Sequence, residues 1–174
     1  MSDMIVHPAL ELDLKSVNDA GEFEGVAAAF GNVDQGRDII VKGAFAKSIA
    51  SRPAPKVKML YQHRPDQPIG VWTSLAETSK GLMAKGRLIL ESALGREVHA
   101  LMKAGAIDGL SVGYRTLKDE YDRVKSVRKL LELDLREISI VTFPMNESAA
   151  VTAVKNSDAA RIVAALRKAT ATLR

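Results

Sequence analysis

Residues 56–90 read KVKMLYQHRPDQPIGVWTSLAETSKGLMAKGRLIL. Apolar and polar residues alternate here in short runs, at Lys56–His63, at Ile69–Thr78 and, after a turn at Ser79–Gly81, at Leu82–Leu90. A period of two sends successive side chains to opposite faces, the pattern of half-buried strands. Short runs joined by turn residues favour a barrel or sandwich over repeating βαβ units. The expectation is therefore mainly β with peripheral helices, a β-barrel of about seven or eight short, mostly antiparallel strands with about three helices.

Toward the amino terminus, Leu10, Leu12 and Leu14 alternate with Glu11, Asp13 and Lys15 as a further strand. A turn at Asn18–Gly21 leads to Phe23–Phe30, and these two strands are expected to form a hairpin. GNVDQGRD, residues 31–38, supplies the Gly, Asn and Asp that tight reversals demand. Gly43–Ser51 has a short helical pattern that Pro53 and Pro55 prevent from continuing. Toward the carboxyl terminus, Ser92 offers a cap for a helix over Ala93–Ala104, with Leu94, Val98, Leu101 and Met102 on one face and Gly105 to end it. Strands follow at Leu110–Leu117, at Val127–Thr142 with a break, and at Ala149–Val154. A last helix, capped by Ser157, puts Ile162, Leu166, Ala169 and Leu173 on one face, to dock on its own body or on a partner. The chain thus divides into a barrel domain over residues 1–155 and a basic amphipathic tail over residues 156–174.

The formal charge is +4, but the tail from Lys155 onward holds five cations against Asp158 alone, and the rest carries 20 of each sign. A neutral body without aromatics interleaved in a basic stripe argues against a nucleic-acid-binding barrel. With no cysteine, disulfides, thiolate zinc sites and cysteine nucleophiles are excluded. MSDMIVHPAL has neither a basic leader nor a long apolar core, and no run of about 18 apolar residues occurs, so a soluble, unexported protein with no membrane partner is expected.

Chemistry turns on a few side chains. Histidine is the commonest general base near neutral pH. His7 lies in the terminus and His99 inside a helix with no nucleophile at helical spacing. His63 ends a strand and is followed at once by the loop RPDQPIG, where an imidazole can face a cleft or be satisfied in the core. Ser111, in DGLSVGYR, has glycines at Gly109 and Gly113 on its own parity, which leave room for close approach or mark bulges. In LLELDLREISIV the series Leu131, Leu133, Leu135, Glu137, Ser139 and Val141 shares one parity. Glu137 is then either a carboxylate buried in an apolar series, which is costly unless paired, or is swung to solvent by a bulge near Arg136. Neither HExxH, nor GxxxxGK[ST], nor GxGxxG is present. Asp34 and Asp38 flank Gly36 in turn-rich sequence and read as turn residues rather than cation ligands.

Taken in order, GEFEGVAAAFGNVD, VKGAFAKSI, VKMLYQHRPDQPIGVW, LMKAGAIDGLSVGYR and LREISIVTFPMNESA resemble the prohead maturation proteases of tailed phages, over about residues 10–155. The resemblance implies a fold similar to herpesvirus assembly proteases and a serine endopeptidase that needs no cofactor or metal. His63 in YQH and Ser111 in GLSVGY match the family's histidine and serine, and Glu137 aligns with the acidic position. It further implies acyl transfer, with backbone N–H groups at Gly113 and Arg115 expected at the oxyanion. The implied substrate is the scaffolding segment of the major capsid protein, and the chain itself, inside procapsids assembling in the bacterial cytoplasm. The alternative is a non-catalytic procapsid assembly or scaffold component that keeps the barrel, with self-association as a further expectation.

Overall fold

The computed structural model describes residues 17–145 and the backbone of Val151–Thr152. The strands are β1 Glu22–Ala28, β2 Asp38–Ile40, β3 Lys58–Tyr61, β4 Arg64–Glu77, β5 Leu82–Leu88, β6 Gly109–Asp122, β7 Val127–Val141 and β8 Val151–Thr152. Helix α1 spans Ala46–Ser51 and α2 Ala93–Lys103, with a 3-10 turn at Ala54–Lys56. All strands join one sheet in the order β2-β7-β3-β4-β5-β1-β8, and β6 pairs with β7.

The mainly β expectation holds, but the closed barrel does not: the described residues form an open half-barrel with two helices. β1 approaches β6 without a ladder between them. Closure would need the outer edge of β1, where Glu24 and Gly25 instead pair with Thr152 and Val151 of β8. The expected strand at Leu10–Leu14 and the helix capped by Ser157 lie outside the described residues.

β7 is the hub. β6 runs antiparallel along one edge, while β2 and β3, both parallel to β7, share the other at Arg128–Leu130 and Glu137–Ile140. The gap between them would strand backbone groups of β7, and α1 fills it. Leu133 N–H donates to the Ala44 carbonyl at 2.8 Å and Leu135 N–H to the buried Ser48 hydroxyl at 2.9 Å. Arg52 donates to the Leu135 carbonyl and to Asp134.

Two irregularities on β7 decide which side chains face where. Asp119 pairs with Leu130 and Lys118 with Glu132, leaving Leu131 without a partner on β6; Tyr114 pairs with Leu135 and Gly113 with Glu137, leaving Arg136 without one. Each extra residue flips the alternation. The core therefore takes Leu130, Leu133, Leu135, Ile138 and Ile140, not the single-parity series expected from Leu131 to Val141. Leu131 is exposed, and Glu137 and Ser139 turn to the face opposite the core.

Trp72 fills the centre of the half-barrel, fully buried, with Phe23 edge-on at 5.5 Å and its indole N–H donating to the Lys58 carbonyl at 3.3 Å. Trp72→Ala should lower stability by about 3–5 kcal/mol, read as a lower urea midpoint; an unchanged midpoint would show that the core does not depend on this ring. α2 is built as its sequence indicates: the Ser92 hydroxyl accepts from Gly95 N–H at 2.9 Å, Val98 and Met102 are buried, and Gly105 ends it at φ 71°.

Candidate active site

Parallel pairing of β3 with β7 brings their carboxyl ends side by side, Tyr61 opposite Ile140, and antiparallel β6 begins at that same end, with Gly109 opposite Val141. The site is assembled there. Tyr61 pairs with Arg64, so Gln62 and His63 alone form the loop of a hairpin between β3 and β4. Both have left-handed backbones, at φ 54° and 57°. Two-residue hairpins favour positive φ at both central positions, ordinarily supplied by Asn-Gly; L residues there cost about 1–2 kcal/mol each.

Three groups at the end of β7 offset that cost. Gln62 N–H donates to the Ile140 carbonyl at 3.0 Å, and the Gln62 side chain exchanges hydrogen bonds with Thr142, at 2.7 Å to its hydroxyl and 3.3 Å from its N–H. His63 N–H donates to the Ser139 hydroxyl at 3.1 Å. RPDQPIG was expected as a loop, but β4 starts at Arg64, directly after the histidine.

The His63 ring is fixed by Glu137. Nδ1 lies 2.7 Å from Oε1, and Oε2 accepts from the Ser139 hydroxyl at 2.6 Å. An ionised carboxylate only accepts, so Nδ1 carries the proton and the Nε2 lone pair is left to act as a base. The Glu137 side chain is 13% exposed and that of His63 42%. Glu137 raises the His63 pKa above 6.5, chiefly through this hydrogen bond, while partial burial opposes the shift.

Ser111 lies directly across the ladder from Ser139, and Gly113 across from Glu137. Side chains opposite one another on a common face have Cβ atoms about 5 Å apart. The Glu137 carboxylate leans across onto β6: a Cβ at Gly113 would overlap Oε1 and come within 2.8 Å of Cδ and Cγ. Oε1, the oxygen that holds the imidazole, thus lies against Gly113, two residues along β6 from Ser111. Ser111 is 6% exposed, and no side-chain hydrogen bond holds its hydroxyl among the described residues. Ser111 on β6 and the Glu137 carboxylate on β7, which holds His63, therefore share one face of the sheet.

The bulge at Arg136 and the paired Glu137 were posed as alternatives; both occur. The bulge carries Glu137 out of the apolar series and onto the face where His63 waits. Ser139, which joins base and carboxylate, was missed as a site residue, though its parity with Glu137 was visible. Arg115 is exposed on β6 opposite Asp134. His99 Nε2 donates to the Asn18 carbonyl, 2.8 Å away, and His7 lies outside the described residues. Asp34 accepts from Asp38 N–H at 2.9 Å, and Asp38 pairs with Arg128 at 2.6 Å, so these aspartates serve the turn and an ion pair. Among the described residues no group of three or more His, Asp or Glu could hold a metal ion. A concavity of about 500 Å³ lined by Glu22, Glu24, Thr73, Lys85 and Arg87 includes none of the site residues.

Residues 10–162 match the sequence profile of the Caudovirus prohead serine protease family. The chain belongs to that family. It is 39% identical over 152 residues to the prohead protease of Enterobacteria phage HK97, covering 85% of this chain and 67% of that one. The capsid assembly protease of bacteriophage T4 shares the fold at a TM-score of 0.57 and 16% identity, over 69% of this chain and 80% of that one. The varicella-zoster virus protease superposes more loosely, at a TM-score of 0.48 and 13% identity over 75% of this chain and 62% of that one. Membership makes this chain a serine protease of prohead maturation.

Proposed function

We propose that Ser111 is the nucleophile of this prohead protease, His63 its general base and Glu137 the carboxylate that orients His63. The Ser111 hydroxyl attacks a peptide carbonyl while its proton passes to His63 Nε2, and the imidazolium then protonates the leaving amine. Backbone N–H groups at Gly113 and Arg115 receive the oxyanion. The substrate is the scaffolding segment of the major capsid protein, and the chain also cuts itself. Residues 1–155 form the catalytic domain, and the basic stretch Asn156–Arg174 is the delivery or self-cleavage region. Self-association and action inside the procapsid, in the host cytoplasm, complete the reading.

The observation that carries it is the 2.7 Å bond between His63 Nδ1 and Glu137, on the face where β6 presents Ser111. The test is a fluorophosphonate probe, in which the serine oxygen forms a bond to phosphorus and fluoride leaves. The adduct is located by mass spectrometry across pH. Labelling is expected on Ser111, with a rate that rises with pH through a midpoint above 6.5, because only neutral His63 accepts the proton. A label elsewhere, or a rate on Ser111 without that midpoint, overturns the assignment.

The same shift acts on folding with the opposite sense. Since His63 binds its proton more tightly in the folded chain, the His63–Glu137 pair adds stability that is complete below the unfolded value of about 6.5. That stability is lost as pH rises through the folded value, so the pH that makes the base competent also loosens its anchorage.

A further inference from the structure

We propose that Gly113 is a positioning residue: its missing side chain is the space through which the Glu137 carboxylate crosses from β7 onto β6 to reach the His63 ring. The space belongs to one atom above all. An ideal Cβ on Gly113 would overlap Oε1, and Cγ and Cδ of Glu137 would each lie 2.8 Å from it. Oε1 is the oxygen that holds Nδ1 of His63 at 2.7 Å. A methyl group at residue 113 thus strikes the link between carboxylate and base.

Glu137 cannot step aside freely. Its other oxygen accepts from Ser139 at 2.6 Å, and Ser139 is fully buried and also accepts the His63 N–H at 3.1 Å. Swinging Oε1 away from β6 breaks the bond to the imidazole, and pivoting the whole carboxylate breaks the bond to Ser139. Two other reasons for a glycine do not account for the position. The backbone of Gly113 is outside the left-handed region, so conformational freedom is not required. The neighbouring bulge places its extra residue, Arg136, on β7 and not on β6.

An oxyanion role for the Gly113 N–H predicts something different, because alanine keeps the N–H. The experiment compares Gly113→Ala, Glu137→Asp and the double variant, reading the His63 pKa by NMR titration and the cleavage kcat and KM. Gly113→Ala is expected to drop the His63 pKa toward 6.5 and kcat by roughly 100-fold, with KM unchanged. Aspartate is one methylene shorter and withdraws the carboxylate from the methyl group. The double variant should therefore regain a raised His63 pKa and cut faster than Gly113→Ala alone, a rescue that a general packing defect would not show.

If Gly113→Ala fails to fold, the double variant against Glu137→Asp supplies the comparison: the methyl group should then cost little in pKa or rate. The inference is overturned if Gly113→Ala leaves the His63 pKa and kcat as they were. It is equally overturned if kcat falls with the pKa unmoved, or if the double variant is no better than the product of the single effects. The rate measurement rests on the catalytic assignment above, whereas the titration does not. A cleaving Ser111→Ala would remove that assignment and leave the titration as a sound test of the carboxylate's path.

Discussion

Ser111→Ala will leave the capsid subunit at full length. Removing the serine of a triad costs about 10⁶-fold in kcat, with only binding and oxyanion stabilisation left. Among the described residues nothing nearby can substitute. The chain has no cysteine, and Ser139, the hydroxyl opposite, is fully buried, donates to Glu137 and accepts from His63. Alanine fits where a small side chain already packs at 6% exposure, and since Ser111 holds neither His63 nor Glu137, the rest of the site should stay in place. The measurement is co-expression with the major capsid subunit of the same phage or prophage, followed by intact masses of both. The parent should shorten the subunit and itself, and the variant neither. A subunit shortened equally by both would remove Ser111 from the mechanism.

How far the sequence carries toward this site varies by residue. His63, Ser111 and Glu137 were each legible as candidates, because a strand-end histidine, a serine among glycines and a carboxylate in an apolar series are local signals. The meeting of His63 with Glu137 was not local: it depends on β3 running parallel to β7, a pairing between residues more than 70 apart that no alternation encodes. Parity also misled on β7, because the two extra residues, Leu131 and Arg136, cost nothing visible in composition while reversing every face beyond them. Pro65 and Pro68 made the start of β4 look like a loop. They are tolerated because β5 joins β4 only from Gly70 onward, so Arg64–Pro68 pairs with β3 alone and one edge needs no donors. β2 was hidden because three residues, Asp38–Ile40, are too few to alternate detectably, and their place against β7 is held by the Asp38–Arg128 pair.

Glu137→Gln will separate charge from shape at the centre of this arrangement. The two side chains are nearly the same size, and Gly113 leaves the same room for either. In the parent both carboxylate oxygens accept, one from His63 Nδ1 and one from the Ser139 hydroxyl. A glutamine has a single accepting oxygen. If that oxygen stays with Ser139, the amide N–H faces the ring, Nδ1 must accept, and the proton moves to Nε2, where no lone pair remains for Ser111. If instead the oxygen stays with Nδ1, the amide meets a Ser139 oxygen that already accepts the His63 N–H, and the Ser139 proton loses its acceptor. Either way the base is held in the wrong state or by a weakened turn, and neither case offers a full charge to the imidazolium. Replacing the carboxylate of a serine-protease triad by its amide lowers kcat by about 10⁴-fold, and a loss of that order is expected here. The His63 titration should move down as well, since the hydrogen bond from Glu137 is the main cause of its raised pKa. Residual activity should then begin at lower pH than in the parent, because the base is neutral over a wider range while the rate at every pH is smaller. A variant that cuts the capsid subunit within about tenfold of the parent rate, a difference of only 1.4 kcal/mol in the barrier, would leave Glu137 a strut of the hairpin and pass the third place in the triad to another group.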